Sequence, residues 1–260
     1  MPIKLEVMKT VIIRSFLFSI VMAGLFYFFS AYIGLDIFLT DVGGLSAFLT
    51  VFGTLYGILA AFIVFEVWVQ YNQISQLIDK EAQGIERLFR LTLYFRDEGL
   101  TTKMEAALNE YAKLVVQGNF KTIAEGGRNP KTGMAFRKIA DIIRDIEFND
   151  DHDAIVFGHI LGHYGELGQI RTERLNQSLT RLPTILKSFI YISSFFALVI
   201  FLFMPFENQY YGSLSVMIIA FLQAMIFHII EDLDNPFRGH WNLTPEPFAR
   251  ALRHIEEEYK

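Results

Sequence analysis

Residues 45–78 read LSAFLTVFGTLYGILAAFIVFEVWVQYNQISQLI, and this stretch decides the fold. Residues 45–69 contain one charged side chain, Glu66, near the far end. About 20 mostly apolar residues suffice for a helix to cross a bilayer, each adding roughly 1.5 Å. Beyond Glu66, Ile74, Leu77, Ile78, Ile85, Leu88, Phe89 and Phe95 recur at helical spacing. No Pro or Gly cluster separates them from the apolar run. The spacing therefore predicts one long helix that leaves the membrane and continues into water, ending at Asp97-Glu98-Gly99.

Three other blocks have the same character. Residues 11–33 are apolar except for Arg14 and a few Ser and Gly; 184–206 begin beside Lys187; 214–230 form the shortest block and carry Gln223 and His228. The first block is too long for a secretory signal and has no small-x-small cleavage site, so it reads as a retained helix. The chain thus divides into spans one and two (1–70), a helical domain (71–183), spans three and four (184–233) and a C-terminal tail (234–260). The expected class is an all-α membrane protein with four transmembrane helices and a helical cytoplasmic domain between the second and third.

Basic residues set the expected orientation. The 34–44 loop holds Asp36 and Asp41, and the 205–212 loop holds Glu207, but neither holds Lys or Arg. All 23 basic residues lie in the N-terminal flank, between spans two and three, at Lys187, or after span four. The positive-inside rule then places both termini and the central domain in the cytoplasm, in an inner or plasma membrane.

Within 71–183 the apolar spacing is helical throughout. Thr102 with Glu105 has capping-box spacing and predicts the start of a second helix, with Met104, Leu108, Tyr111, Leu114 and Val115 on its apolar face. Residues 126–130 read as a loop. A third helix follows with Phe136, Ile139, Ile142, Ile143 and Ile146. Asn149-Asp150-Asp151 break the chain, and a last helix is expected over 153–182, stopped by Pro183.

Composition excludes several functions. The chain is 52% hydrophobic with mean hydropathy +0.33 and net charge −5, so no nucleic-acid footprint is present. It has no cysteine, which removes disulfides, thiolate metal sites and cysteine nucleophiles. The central domain carries 15 basic and 16 acidic residues and offers no funnel for ions of either sign. No nucleophile elbow, phosphate loop, dinucleotide fingerprint or zinc-protease helix occurs. No cofactor and no enzymatic activity are expected.

Three constellations are candidates for chemistry. His159, His163 and Glu166, at i, i+4 and i+7, share a helical face that can ligate a divalent metal; the alternative is a polar face packed near other subunits. Glu66 is a candidate pore or interface charge, either facing a water-filled space or snorkelling at a boundary marked by Trp68 and Tyr71. His228, Glu231, Asp232 and Asp234 close span four, where they either hold a cation or pair with Arg238, Arg250 or Arg253; the pairing is the favoured reading.

Span two leaves the membrane through Glu66-Val67-Trp68-Val69-Gln70-Tyr71-Asn72, and span four through Asp234-Asn235-Pro236-Phe237-Arg238-Gly239. These resemble the Trp-x-Gln-Tyr and Asn-Pro-Phe-Gly stretches of bestrophin channels, and the order of two spans, helical domain and two spans also agrees. The chain more closely resembles the bacterial and plant family of membrane proteins called bestrophin-like. That likeness rests on Glu81-Ala82, on Arg171 to Leu175 ahead of Leu182-Pro183, and on Asp234-x-Pro236-Phe237 followed by Pro245-Glu246-Pro247-Phe248. It covers most of the chain.

The resemblance implies a homo-oligomer in the lipid bilayer, a pentamer around one axial pore, conducting inorganic anions such as chloride. Matching the Trp-x-Gln-Tyr stretch without gaps puts Thr50, Thr54 and Ile58 at the pore lining, where bestrophins carry apolar residues at four-residue spacing. Two Thr in those places make a wetter neck, less able to gate by dewetting. His240 to Thr244 carry no acidic run where the eukaryotic channels hold calcium, so calcium gating there is not expected. Glu66 falls where bestrophins carry an Arg, which counts against a simple transfer of anion preference. Gly53, Gly57, Ala60 and Ala61 give span two a small-residue face that permits close helix packing. Thr50 and Thr54 also have a second reading, as residues that bond their own backbone carbonyls. The rival to a channel is a non-conducting oligomeric scaffold or sensor that binds a partner through its cytoplasmic domain.

Overall fold

The computed structural model describes residues 2–32, 42–125, 127, 129–148, 151–238 and 241–258. Most of the acidic loop expected at 34–44 lies outside these residues, as do Gly126, Arg128, Asn149, Asp150, Gly239 and His240, on which the loop, break and tail readings bear. Every regular element among the described residues is helical. In chain order the α-helices are α1 (Pro2–Tyr32), α2 (Val42–Thr92), α3 (Glu98–Leu114), α4 (Phe120–Ala124), α5 (Pro130–Arg144), α6 (Asp151–Leu179), α7 (Thr184–Leu202), α8 (Gln209–Asp234) and α9 (Glu246–Glu258), with a 3-10 turn at Leu93–Phe95 and a π turn at Val115–Asn119. Among the described residues four helical stretches are long and apolar enough to cross a membrane. The span-two helix does continue without a break, as 51 residues.

The chain forms two compact units. The first comprises Met1–Val69, Arg181–Asp234 and Gly239–Trp241. Here α1 packs along α8, and α7 touches both. Phe26, fully buried, meets Leu202 and Val216 at the centre, with Phe29, Phe203 and Phe206 against them. The approach is close because residue 212 has no side chain: a Cβ there would meet Phe26 Cζ at 2.5 Å and Phe206 Cδ2 at 2.8 Å. The Ser213 hydroxyl donates to the Ala23 carbonyl at 3.3 Å, joining the same two helices.

The second unit comprises Gln70–Thr180, Asn235–Arg238 and Asn242–Lys260. Its core takes one stripe from each helix: Ile74, Ile78, Ile85 and Phe89 of α2, Met104, Leu108 and Tyr111 of α3, Ile139 and Ile143 of α5, Ile160 and Leu167 of α6. The tail supplies the last stripe. Phe248, Ala251 and Ile255 of α9 are buried in this core, so residues 246–258 form an amphipathic helix that the sequence reading had not resolved.

Span three ends at Leu202 and span four runs Gln209–Asp234, so both differ from the apolar blocks expected, and two further boundaries shift for a clear local reason. α3 starts at Glu98, capped by Asp97, whose Oδ1 accepts the N–H groups of Gly99 (2.8 Å) and Leu100 (3.1 Å). The expected cap, Thr102, lies one turn inside the helix, where its hydroxyl donates to the Glu98 carbonyl. An Asp ahead of the break reaches the free N–H groups first, and that makes the Thr102–Glu105 spacing incidental. α6 ends at Leu179 rather than Leu182. The N–H of Leu182 is instead accepted by the Asp234 carboxylate, so the chain turns before Pro183.

Candidate pore helix and its supporting ion pairs

The apolar part of α2 is the least buried of the four spans: 11% of its most apolar stretch is buried within the chain, against 22–28% for the others. What is buried lies on one side, where Ala60, Ile63 and Val67 are under 5% exposed. Tyr56, on the same side, shares a 2.6 Å hydrogen bond with the Ser194 hydroxyl of α7. At about 100° per residue, Thr50, Thr54 and Ile58 form a stripe roughly opposite this contact side. All three are exposed, Ile58 by 52%.

The two Thr hydroxyls are engaged locally. Thr50 donates to the Ser46 carbonyl at 2.9 Å and Thr54 to the Thr50 carbonyl at 2.8 Å. Their protons are therefore directed at the backbone, and their lone pairs face outward. Beside the stripe, a Cβ added to Gly53 or Gly57 would meet nothing within 4 Å. Phe48, Val51, Leu55, Phe62 and Phe65 are also exposed along this helix. Glu66 is exposed as well, but it sits about 80° further round than Ile58, off the stripe. Trp68 packs edge-on to Trp241 with ring centroids 6.5 Å apart.

His159, His163 and Glu166 are not brought together as ligands. His159 is exposed, His163 Nδ1 lies 3.2 Å from Glu166 Oε2, and no group of three such side chains among the described residues is placed to hold a metal ion. The acidic end of span four does form ion pairs, but not with the arginines expected. Lys187 Nζ sits 2.6 Å from Asp234 and 3.5 Å from Glu231, and Tyr191 donates to Glu231. Arg250 and Arg253 pair instead with Glu246 on their own helix, which α9 makes local.

One pair was not foreseen. Glu81 of α2 and Arg174 of α6 are both fully buried and form a bidentate contact, Nη2 to Oε1 at 3.1 Å and Nε to Oε2. Tyr111 of α3 donates to the same carboxylate. Burial pulls the Arg174 guanidinium down, but the adjoining Glu81 charge and hydrogen bonds outweigh it, so it stays firmly protonated. Burial also raises the Tyr111 hydroxyl well above its ordinary value, and the Glu81 charge adds to this. The signal was present in sequence: Glu81 lies inside the apolar stripe of Ile74, Ile78 and Ile85, and Arg174 among Leu167, Leu175 and Ser178. Nothing in either stripe says that the two meet, 93 residues apart.

These features define a four-span helical membrane protein with a helical domain inserted between its second and third spans. Residues 15–248 match the Bestrophin-like domain, and the chain belongs to the bestrophin-like family. Its fold is also that of solved bacterial bestrophin homologues. One variant of such a homologue from Klebsiella pneumoniae superposes with TM-score 0.72 at 14% identity over 98% of both chains. Another gives 0.71 at 13% identity over 96% of this chain and 99% of that one. A further membrane protein gives 0.73 at 14% identity, over 94% and 97%. No curated protein matches the chain.

Proposed function

We propose that the chain assembles as a homo-oligomer, a pentamer by its likeness to bestrophins, whose α2 helices line an axial pore for inorganic ions. Chloride is the expected permeant ion, the membrane is the inner or plasma membrane, and both termini face the cytoplasm. The observation that carries this reading is the exposure of α2. A spanning helix packed on one side only, with two hydroxyls on the other, has a face that its own chain leaves uncovered and that a shared axis would occupy. Copies around an axis give the Thr50, Thr54 and Ile58 side a water-filled lumen, and give the Gly53 and Gly57 side a close neighbour.

The hydroxyl geometry bears on selectivity. With its proton on the backbone, each Thr presents an acceptor to the lumen. Coordinating an anion requires the hydroxyl to leave its carbonyl, a loss of about 1 kcal/mol per bond. The Thr rings then supply wetness, and anion preference has to come from elsewhere in the assembly. Purified protein in a planar bilayer tests the proposal. Conductance is expected, altered by Thr50→Ala, Thr54→Ala and Ile58→Ala. An intact oligomer that passes no current across a range of salts and pH would instead support the scaffold.

A further inference from the structure

We propose that the cleft between α5 and α6 is a binding site for the phosphate group of a small organic phosphate. The cleft has a volume of about 400 Å³ and receives Arg137 from α5 and Arg171 from α6. No carboxylate is among the described residues that line it. Neither arginine has an acidic partner among the described residues. Two other cations of these helices are already matched: Arg174 is held by Glu81, and Lys138 by Glu110 at 2.8 Å. Two guanidinium groups facing one cavity without a counter-charge repel each other, and an anion between them removes that repulsion.

Arg171 is also built into position. Its guanidinium lies 5.3 Å over the Phe136 ring, which stacks on Tyr164 at 4.8 Å. Its Nη2 lies 3.7 Å from where a Cβ on Gly133 would stand, which puts the fork against the first turn of α5. Its Nε is buried and has no hydrogen-bond acceptor. A planar fork with an unfilled donor is the arrangement that phosphate oxygens satisfy in bidentate fashion, and that a monatomic halide does not. α5, 15 residues long and capped by Asn129, adds the positive end of its dipole. The remaining walls include Pro130, Met134 and Leu175, which offer an apolar body something to lie against. The size suits a compact phosphate monoester rather than a bare ion.

The phosphate could belong to a soluble metabolite or to a lipid headgroup, and the experiment separates the two. Full-length, delipidated protein in uncharged detergent and chloride buffer is titrated calorimetrically with phenyl phosphate, phenol, inorganic phosphate and dihexanoyl phosphatidic acid. Phenyl phosphate should bind saturably at one per chain, inorganic phosphate more weakly, and phenol not at all. Binding of phenyl phosphate marks a soluble ligand; binding of phosphatidic acid alone marks a headgroup. Arg171→Gln should weaken binding about tenfold, as the loss of a charge-assisted fork does. Arg137→Gln should weaken it less, and Lys138→Gln, which removes the same charge outside the cleft, should leave it unchanged. If Arg171→Gln fails to fold, Gly133→Leu fills the cleft from its other wall and should also abolish binding. Equal binding of phenol, no saturable binding of any phosphate, or equal weakening by Lys138→Gln would overturn the assignment.

Discussion

Removing Glu81 while leaving Arg174 in place should unfold the helical domain at a markedly lower temperature. Both side chains are fully buried, so Glu81→Ala strands a guanidinium in a region closed to water and removes the acceptor for Tyr111. Breaking one half of a buried pair costs about 3–5 kcal/mol. At about 2–4 °C per kcal/mol for a domain of this order of size, 4 kcal/mol lowers the midpoint by roughly 8–16 °C. The assay is helical circular dichroism of the detergent-solubilised protein at one scan rate, which keeps irreversible transitions comparable. The control is the substitution of both ions, Glu81→Leu with Arg174→Met. This leaves only the Tyr111 hydroxyl unsatisfied, at about 1–3 kcal/mol, and Tyr111→Phe should then recover most of that loss. A Glu81→Ala protein that melts within a degree or two of the parent would show that water reaches the pair, and the reasoning from burial would fail.

Gly212→Ala should destabilise the first unit by about 1–3 kcal/mol, because a Cβ there runs into the Phe26 and Phe206 rings; a lowered melting midpoint checks this. A Cβ at residue 57 meets nothing within 4 Å in its own chain, so Gly57→Leu should leave the helical spectrum unchanged while the proposed oligomer weakens by about 1–3 kcal/mol per interface, read by native mass spectrometry. Tyr111 contributes a pH dependence: burial and the Glu81 charge raise its hydroxyl above the ordinary 10. Its contribution is whole below about pH 10, where the unfolded chain also keeps the proton, and is lost as pH rises through the folded value. The parent should therefore lose stability above pH 10 more steeply than Tyr111→Phe.

What could be read from the chain depended on whether the signal was local. The four spans, the unbroken run of α2 through Gln70 and Tyr71, and the helical character of 71–183 follow from hydropathy and 3.6-residue spacing, which neighbours in sequence carry by themselves. Where two local signals competed, as with Asp97 against Thr102, the residue nearer the chain break took the cap. α9 was legible in principle, since Phe248, Ala251, Leu252 and Ile255 fall at helical spacing, but it is only 13 residues long and Pro245 and Pro247 at its start read as loop. The Glu81–Arg174 pair and the arginine-lined cleft depend on which helices become neighbours, and periodicity is silent on that. The stripe of Thr50, Thr54 and Ile58 was legible as a stripe. Its position opposite the contact side of α2 required knowing where Tyr56, Ala60 and Ile63 pack.

Reagent access to that stripe tests the proposed pore most directly. The chain has no cysteine, so Thr54→Cys introduces the only thiol, and Leu55→Cys is its control about 100° round the helix. Water-soluble methanethiosulfonate reagents are applied while current is recorded. Conductance through Thr54→Cys should fall promptly on modification, and Leu55→Cys should be unaffected. Current that persists through fully modified Thr54→Cys, or a block confined to Leu55→Cys, would place the aqueous pathway on another face and contradict the proposed pore.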